Sequence, residues 1–145
     1  TIEYNSSTLY RYANVAVHEF SRQIGDRVSV VDALKLFVEA FVKSMPTGKI
    51  NTFANQTLPQ ALLICLRGGR PINLVSAFER PLRSTEGYVE QSIRQLKNEY
   101  EPVLQWVDKP LYTFSLGMAG FEGNQADFCQ LLKQFEESLN TLLDS

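Results

Sequence analysis

The sequence is poor in the side chains that most often bind metals: its 145 residues include one His and two Cys. One His is too few for a His-based metal site, and Cys65 and Cys129 have no partner at metal-ligand spacing. Because both cysteines lie in apolar stretches, we expect buried free thiols, which are typical of a reducing cytoplasm. The sequence therefore predicts a cytoplasmic protein with no metal and no cofactor.

Long hydrophobic runs and the common nucleotide-binding motifs are also missing. No apolar run approaches the roughly 20 residues of a membrane-spanning helix, so we expect no membrane partner. The run Pro46-Thr47-Gly48-Lys49 lacks the first Gly and the final Ser or Thr of a phosphate-binding P-loop. Neither a dinucleotide fingerprint nor a nucleophile elbow occurs. These absences exclude the usual nucleotide-dependent and α/β-hydrolase sites.

What the sequence does contain is an uneven charge distribution. The formal net charge is −2, yet residues 41–83 carry six Lys and Arg against Glu79 alone. Residues 121–145 carry five Asp and Glu against Lys133 alone. A basic middle and an acidic tail are a weak indication of a polyanionic partner. The length and the 44% hydrophobic content are typical of one globular domain, and the start at Thr1 predicts a piece of a longer protein.

Hydrophobic periodicity predicts an alternation of strands and helices. The predicted elements are a strand over 8–17, a helix from Ser29 to about residue 44, a strand over 58–66, an extended segment over 71–78, a helix over 85–100, a strand over 109–116 and an amphipathic helix over 125–143. Ser29 and Asp32 form a loose capping box for the first helix. This order matches the split βαβ pattern of ferredoxin-like and RRM-like α+β domains.

The loop after the first predicted helix allows two interpretations. Pro46 and Gly48 break the chain there, and Lys49 adds a cation. Lys49 could neutralise a phosphate, Thr47 and Asn51 could donate hydrogen bonds, and Gly48 would let the backbone approach closely. The loop is also short enough to be a plain connection, and the residues alone leave both interpretations open.

Two further features carry an ordinary and a functional interpretation. Arg11 lies between Tyr10 and Tyr12, a pattern that suits stacking on bases but equally a strand with one amphipathic Arg. His18, the only imidazole, could act as a general acid or base, although a plain exposed His is the favoured interpretation. Glu136 and Glu137 are predicted to form a solvated helix face.

Three blocks of the sequence resemble the CasC family, the backbone subunit of the type I-E CRISPR Cascade complex. They are SSTLYRYANV at residues 6–15, AFVKSMPTGKINTFA at residues 40–54 and NLVSAFERP at residues 73–81. The blocks occur in the family's order and with similar spacing, and the resemblance continues loosely to the C-terminus. Family members are much longer, so the resemblance implies that the N-terminal half of the parent domain and most of its thumb-like hairpin are absent here.

The resemblance implies a fold and a role. The fold would be a partial ferredoxin-like or RRM-like core over residues 1–120, followed by a C-terminal amphipathic helix over 121–145 that packs on the core or on a partner. The chain would be non-catalytic and would bind the backbone of CRISPR RNA (crRNA). Its partners would be crRNA, target DNA through crRNA, copies of itself and other Cascade subunits. Carried over by position, the RNA contacts are Thr47, Gly48, Lys49 and Asn51, with Arg11 and Tyr10 as weaker candidates.

Two alternative functions stay open at this point. Related ferredoxin-like subunits cleave guide precursors, so an endoribonuclease that uses His18 is one alternative. A protein-interaction module is the other, because a domain that lacks half its sheet would expose apolar surface.

Overall fold

The computed structural model describes residues 11–44, 59–68 and 89–144. Within these ranges the chain forms four helices and two strands, which confirms the predicted α+β class. The elements are α1 (Val17–Ile24), α2 (Arg27–Lys43), β1 (Leu62–Leu66), α3 (Val89–Val103), β2 (Tyr112–Leu116) and α4 (Phe128–Leu143). This part of the chain contains no helix that is long and apolar enough to cross a membrane.

The two strands pair antiparallel, and each lies inside a segment that the sequence predicted as a strand. At one end, the Leu111 amide donates to the Leu66 carbonyl at 2.7 Å. At the other end, Gly117 lies against the backbone of Gln60. Both strands contain residue types that suit a pleated, half-buried surface, namely Ile64 in β1 and Tyr112, Thr113 and Phe114 in β2.

The chain divides into two compact units, and two of the boundaries between them fall within β1 and within β2. The first unit comprises residues 1–14 and 65–113, and the second comprises residues 15–64 and 114–145. The second unit contains α1, α2 and α4, and the first contains α3. The predicted division at residue 120 is untested by this arrangement and stays a prediction.

The second unit is built around the packing of α4 on α2. Helix α2 buries Val30, Val31, Leu34 and Val38, and α4 buries Leu131, Phe135 and Leu139. The rings of Phe114 on β2 and Phe135 on α4 meet edge to face, with centroids 6.1 Å apart. Helical spacing predicted the burial of these side chains of α4 and, on α2, of Val30, Leu34 and Val38. Phe37 was predicted on the same face of α2 but is 42% exposed.

Two ion pairs run along the antiparallel contact between α2 and α4. The Lys35 ammonium donates to the Glu136 carboxylate at 2.9 Å, and Arg27 pairs with Asp144 near the other end of the contact. This hydrogen bond to Glu136 raises the pKa of Lys35 above its ordinary value. The predicted solvated face is confirmed for Glu137, which is exposed, whereas the Glu136 side chain is 39% exposed and pairs with α2.

The predicted strand over 8–17 is wrong over its described part. Residues 11–16 have no regular secondary structure, and α1 begins at Val17. Val17, Phe20 and Ile24 recur at helical spacing, and Gly25 ends the helix in a left-handed conformation with φ 81°. This amphipathic pattern and its glycine cap outweigh the β-branched residues that had indicated a strand.

The predicted cap of α2 lies one turn too late in the chain. The helix begins after Asp26, whose carboxylate accepts hydrogen bonds from the backbone amide and the hydroxyl of Ser29. These hydrogen bonds, the hydroxyl first, lower the pKa of Asp26 below its ordinary value. Asp competes well for this position because a charged oxygen binds the unpaired amides of the first turn strongly.

In the first unit, α3 and β1 meet at a buried tyrosine. Tyr100 is buried, and its hydroxyl lies 4.0 Å from the Sγ atom of Cys65. Cys65 is half-buried, while Cys129 on α4 is exposed, and neither forms a disulfide within the described residues. The expected burial of Cys129 is thus wrong, because its position on α4 faces away from Leu131 and Phe135. The predicted extended segment over 71–78 lies outside the described residues.

Candidate nucleic-acid interface

Most of the predicted RNA contacts lie outside the described residues. Tyr10, Thr47, Gly48, Lys49 and Asn51 all belong to this group, so their roles stay predictions. The structure does describe Arg11 and the two ends of the loop over 45–58.

Arg11 lies on an exposed, irregular segment that leads into α1. Arg11 and Tyr12 are both exposed, and the Asn14 side-chain amide donates to the Tyr12 hydroxyl at 3.3 Å. Because the segment is not a strand, the alternation that would place Arg11 and Tyr12 on opposite faces does not apply. The exposed guanidinium of Arg11 can still pair with a phosphate.

The described residues on either side of positions 45–58 hold defined positions in the second unit. Helix α2 ends at Lys43, and the Ser44 amide donates to the Ala40 carbonyl at 2.8 Å. The described part of the chain resumes at Pro59, and the next residue, Gln60, lies in close approach to Gly117. Lys43 is exposed in the last turn, where a cation offsets the partial negative charge of a helix C-terminus. This end of α2 therefore carries an exposed cation.

A small apolar pocket lies beside these two ends, within the second unit. Its volume is about 130 Å³. The described residues that line it are Val42, Pro59, Gln60, Ala61, Leu62, Leu116 and Phe128. Apolar walls of this kind cannot bind a phosphate, but they can accept an apolar group about the size of a benzene ring.

His18 lies on the exposed surface of α1, close in sequence to an ion pair. The Arg22 guanidinium donates to the Glu19 carboxylate at 2.5 Å. In the described parts of the chain, no group of three or more His, Cys, Asp or Glu side chains could hold a metal ion.

The structure also reveals a surface residue that the sequence patterns did not single out. Trp106 follows α3 and is 87% exposed, which is unusual for the largest side chain in the chain. No clear signal for it exists in the sequence, because Trp106 lies outside both periodic patterns, in a connection between a helix and a strand that mixes apolar and polar residues.

Comparison with solved structures shows where this fold recurs. A chain of a structure titled "CRISPR RNA-guided surveillance complex" superimposes with a TM-score of 0.78 and 24% identity, over 86% of this chain and 50% of that one. A chain of a structure titled "CRISPR RNA-guided surveillance complex, pre-nicking" superimposes with a TM-score of 0.76 and 22% sequence identity. This match covers 86% of this chain and 39% of that one. The chain thus spans half or less of the length of these two proteins, and the similarity shows a shared fold.

Comparison of sequences identifies the family. No match is found among curated proteins. The model of the Cas family described as CT1975-like protein matches residues 1–144, which confirms the Cas resemblance inferred from the three sequence blocks. The chain therefore belongs to the CT1975-like family of Cas proteins.

Proposed function

We propose that this chain is part of a non-catalytic backbone subunit of a CRISPR interference complex. It binds the sugar–phosphate backbone of crRNA, lines up with further copies of itself along that RNA, and leaves the bases free to pair with target DNA. The observation that carries the proposal is the family match over residues 1–144. The fold shared with two chains whose titles name CRISPR RNA-guided surveillance complexes supports it.

In this proposal, the loop over 45–58 contacts the RNA backbone. Lys49 neutralises a phosphate, while Thr47 and Asn51 donate hydrogen bonds to phosphate or sugar oxygens. Gly48 adds a backbone amide at a position where the chain can approach the RNA closely. The exposed position of Lys43 supports the proposal, because it adds positive charge at the end of α2, just before these residues in the sequence. Base pairing, and not the protein, would then read the sequence, as in other RNA-guided effectors.

A filter-binding experiment tests the phosphate contact. We expect Lys49→Glu to weaken binding to crRNA and to reduce the slope of log Kd against log salt by roughly 0.7, the value for one phosphate contact on a single strand. Lys133→Glu is the matched control, since it makes the same charge change at an exposed position of α4. Equal affinities and equal salt slopes for Lys49→Glu and the wild type would contradict the proposed role of Lys49.

A cleavage experiment tests the proposed lack of catalysis. Labelled repeat RNA is incubated with the wild type and with His18→Ala, which removes the only imidazole. We expect intact RNA in both reactions. Cleavage by the wild type that His18→Ala abolishes would instead establish an endoribonuclease and overturn the proposal.

A further inference from the structure

Trp106 is the only tryptophan of the chain and contributes almost nothing to the packing of the first unit. Among the described residues, no other large hydrophobic side chain is as exposed as its 87%. Tryptophan is usually largely buried, because its ring gains much from leaving water. An indole left in solvent therefore indicates a contact with a ligand more than a role in the fold.

Backbone hydrogen bonds hold Trp106 in a defined turn between α3 and β2. Its amide donates to the Val103 carbonyl at 3.0 Å, and the two amides before it donate three residues back at 3.1 Å. The Arg67 guanidinium donates to the Asp108 carbonyl at 2.8 Å, which ties the turn to the end of β1. A side chain on a braced turn loses less freedom on binding than one on a loose loop.

The turn that carries Trp106 also carries positive charge. Lys109 is exposed three residues after Trp106, and the Arg67 side chain lies against the turn through its hydrogen bond to Asp108. Together these two cations outnumber the one anion of residues 104–111, the Asp108 carboxylate. Proteins that bind single-stranded nucleic acids combine aromatic rings, on which bases stack, with cations that attract the phosphates. The turn contains both kinds of side chain.

The surroundings of Trp106 favour a base over a protein as the ligand. Residues 105–109 are all exposed, and besides Trp106 only Val107 among them is apolar. Protein hot spots lie in well-packed, desolvated pockets at the centre of a contact, whereas a stacked base needs only one open ring face. One exposed ring among polar neighbours can bind a flat base but offers a protein little apolar area.

We propose that Trp106 stacks on an unpaired base of a single-stranded RNA. This contact rests on the proposed function, because that function brings such an RNA to the chain. It adds a contact with a base to the backbone contacts proposed for Lys49 and its neighbours. Every base has a flat ring face, so stacking tolerates any sequence and is compatible with sequence reading by base pairing.

The fluorescence of Trp106 tests the contact directly. Because the chain has one tryptophan, its indole emission reports on this side chain alone. We expect single-stranded oligouridylate to quench the emission in a saturable manner. An abasic strand of the same length carries the phosphates without the bases and should not quench it. Equal quenching by the two strands, or unchanged emission while oligouridylate is bound, would overturn the stacking proposal.

Three substitutions test whether a flat ring is required. Trp106→Ala should raise the Kd for single-stranded RNA about 5- to 150-fold, the range expected for the loss of one stacked base. Trp106→Tyr keeps an aromatic ring and should restore most of the affinity. Trp106→Leu keeps only the apolar character and should not. An unchanged Kd for Trp106→Ala, or restoration by Trp106→Leu, would contradict stacking; circular dichroism checks that each variant is folded.

Salt dependence separates stacking by Trp106 from the proposed phosphate contact of Lys49. Stacking releases no counterions, so Trp106→Ala should leave the slope of log Kd against log salt unchanged, whereas Lys49→Glu reduces it. A wild type that binds RNA without a change in emission overturns stacking and leaves RNA binding in place. A Lys49→Glu variant with wild-type affinity, salt slope and quenching overturns only the role of Lys49.

Sedimentation velocity tests the competing possibility of a protein contact. We expect Trp106→Ala to leave the oligomeric state of the chain unchanged and to weaken only RNA binding. If Trp106→Ala instead abolishes self-association and binds RNA as the wild type does, Trp106 belongs to a protein interface and the stacking proposal is wrong.

Discussion

Gly117 and Gln60 approach each other so closely that no side chain fits between them. A Cβ atom at Gly117 would lie 2.1 Å from the carbonyl oxygen of Gln60, and the φ of Gly117 is +75°. Both the space and the backbone conformation therefore require glycine. This contact fixes Gln60, which follows the proposed RNA contacts in the sequence.

Substitution of Gly117 should show this requirement. We expect Gly117→Ala to lower the free energy of unfolding by roughly 2 kcal/mol more than Gly120→Ala does, because overpacking adds to the conformational strain. Gly120 is a matched control, since its φ is +78° but a Cβ atom added there would meet no atom within 4 Å. Denaturant unfolding measures both changes, and equal losses would show that the backbone at Gln60 relaxes.

The ion pair between Lys35 and Glu136 should stabilise the packing of α2 on α4. We expect Glu136→Gln to lower the melting temperature and Glu137→Gln to leave it unchanged, since Glu137 is exposed on the same helix. Because the pKa of Lys35 is raised in the folded state, the contribution is complete below about pH 10.5 and disappears as the pH rises through the folded value. A difference between wild type and Glu136→Gln that persists above that value would contradict this account.

The cap of α2 should contribute to stability in a pH-dependent way. The pKa of Asp26 is lowered in the folded state, so its contribution is complete above the ordinary value of 3.8 and is lost as the pH falls through the folded value. Asn also caps helices but does not titrate, which makes Asp26→Asn the suitable comparison. Melting temperatures from about pH 6 to about pH 2.5 should show the wild type losing stability relative to Asp26→Asn. A constant difference would rule out Asp26 as the titrating group.

The core of the second unit should depend on Leu139. Its side chain is fully buried on α4, and Leu139→Ala should cost about 2–5 kcal/mol through lost burial and a cavity. The exposed Leu36 offers the same substitution at a surface position, where we expect a change within about 0.5 kcal/mol. Denaturant unfolding compares the two variants, and similar losses would show that α4 does not anchor the core.

The sequence predicted the elements whose hydrophobic period is long and regular. Helices α2 and α4 lie where their periodicity indicated, because a buried face must repeat with the helical period. Strand β1 lies in the continuous apolar run that predicted it, and β2 lies in the segment predicted as a strand. Helix α1 was missed. It has only eight residues, and it begins at Val17, where the β-branched and aromatic residues before it had predicted a strand. For the RNA contacts, the prediction rests on the Pro-x-Gly-Lys loop, which lies outside the described residues.

By itself, the sequence determined the α+β class, most of the buried residues of α2 and α4, and the Cas family. The class and the buried residues follow from hydrophobic periodicity, and the family follows from contiguous blocks of sequence. The tertiary structure alone decided the partners across the fold: Glu136 against Lys35, Gln60 against Gly117, and the seven residues that line the pocket. These residues lie far apart along the chain, and only packing brings them within contact distance. For the same reason, the exposure of Trp106 could not be read from its neighbours in sequence, because exposure depends on what the rest of the chain leaves uncovered.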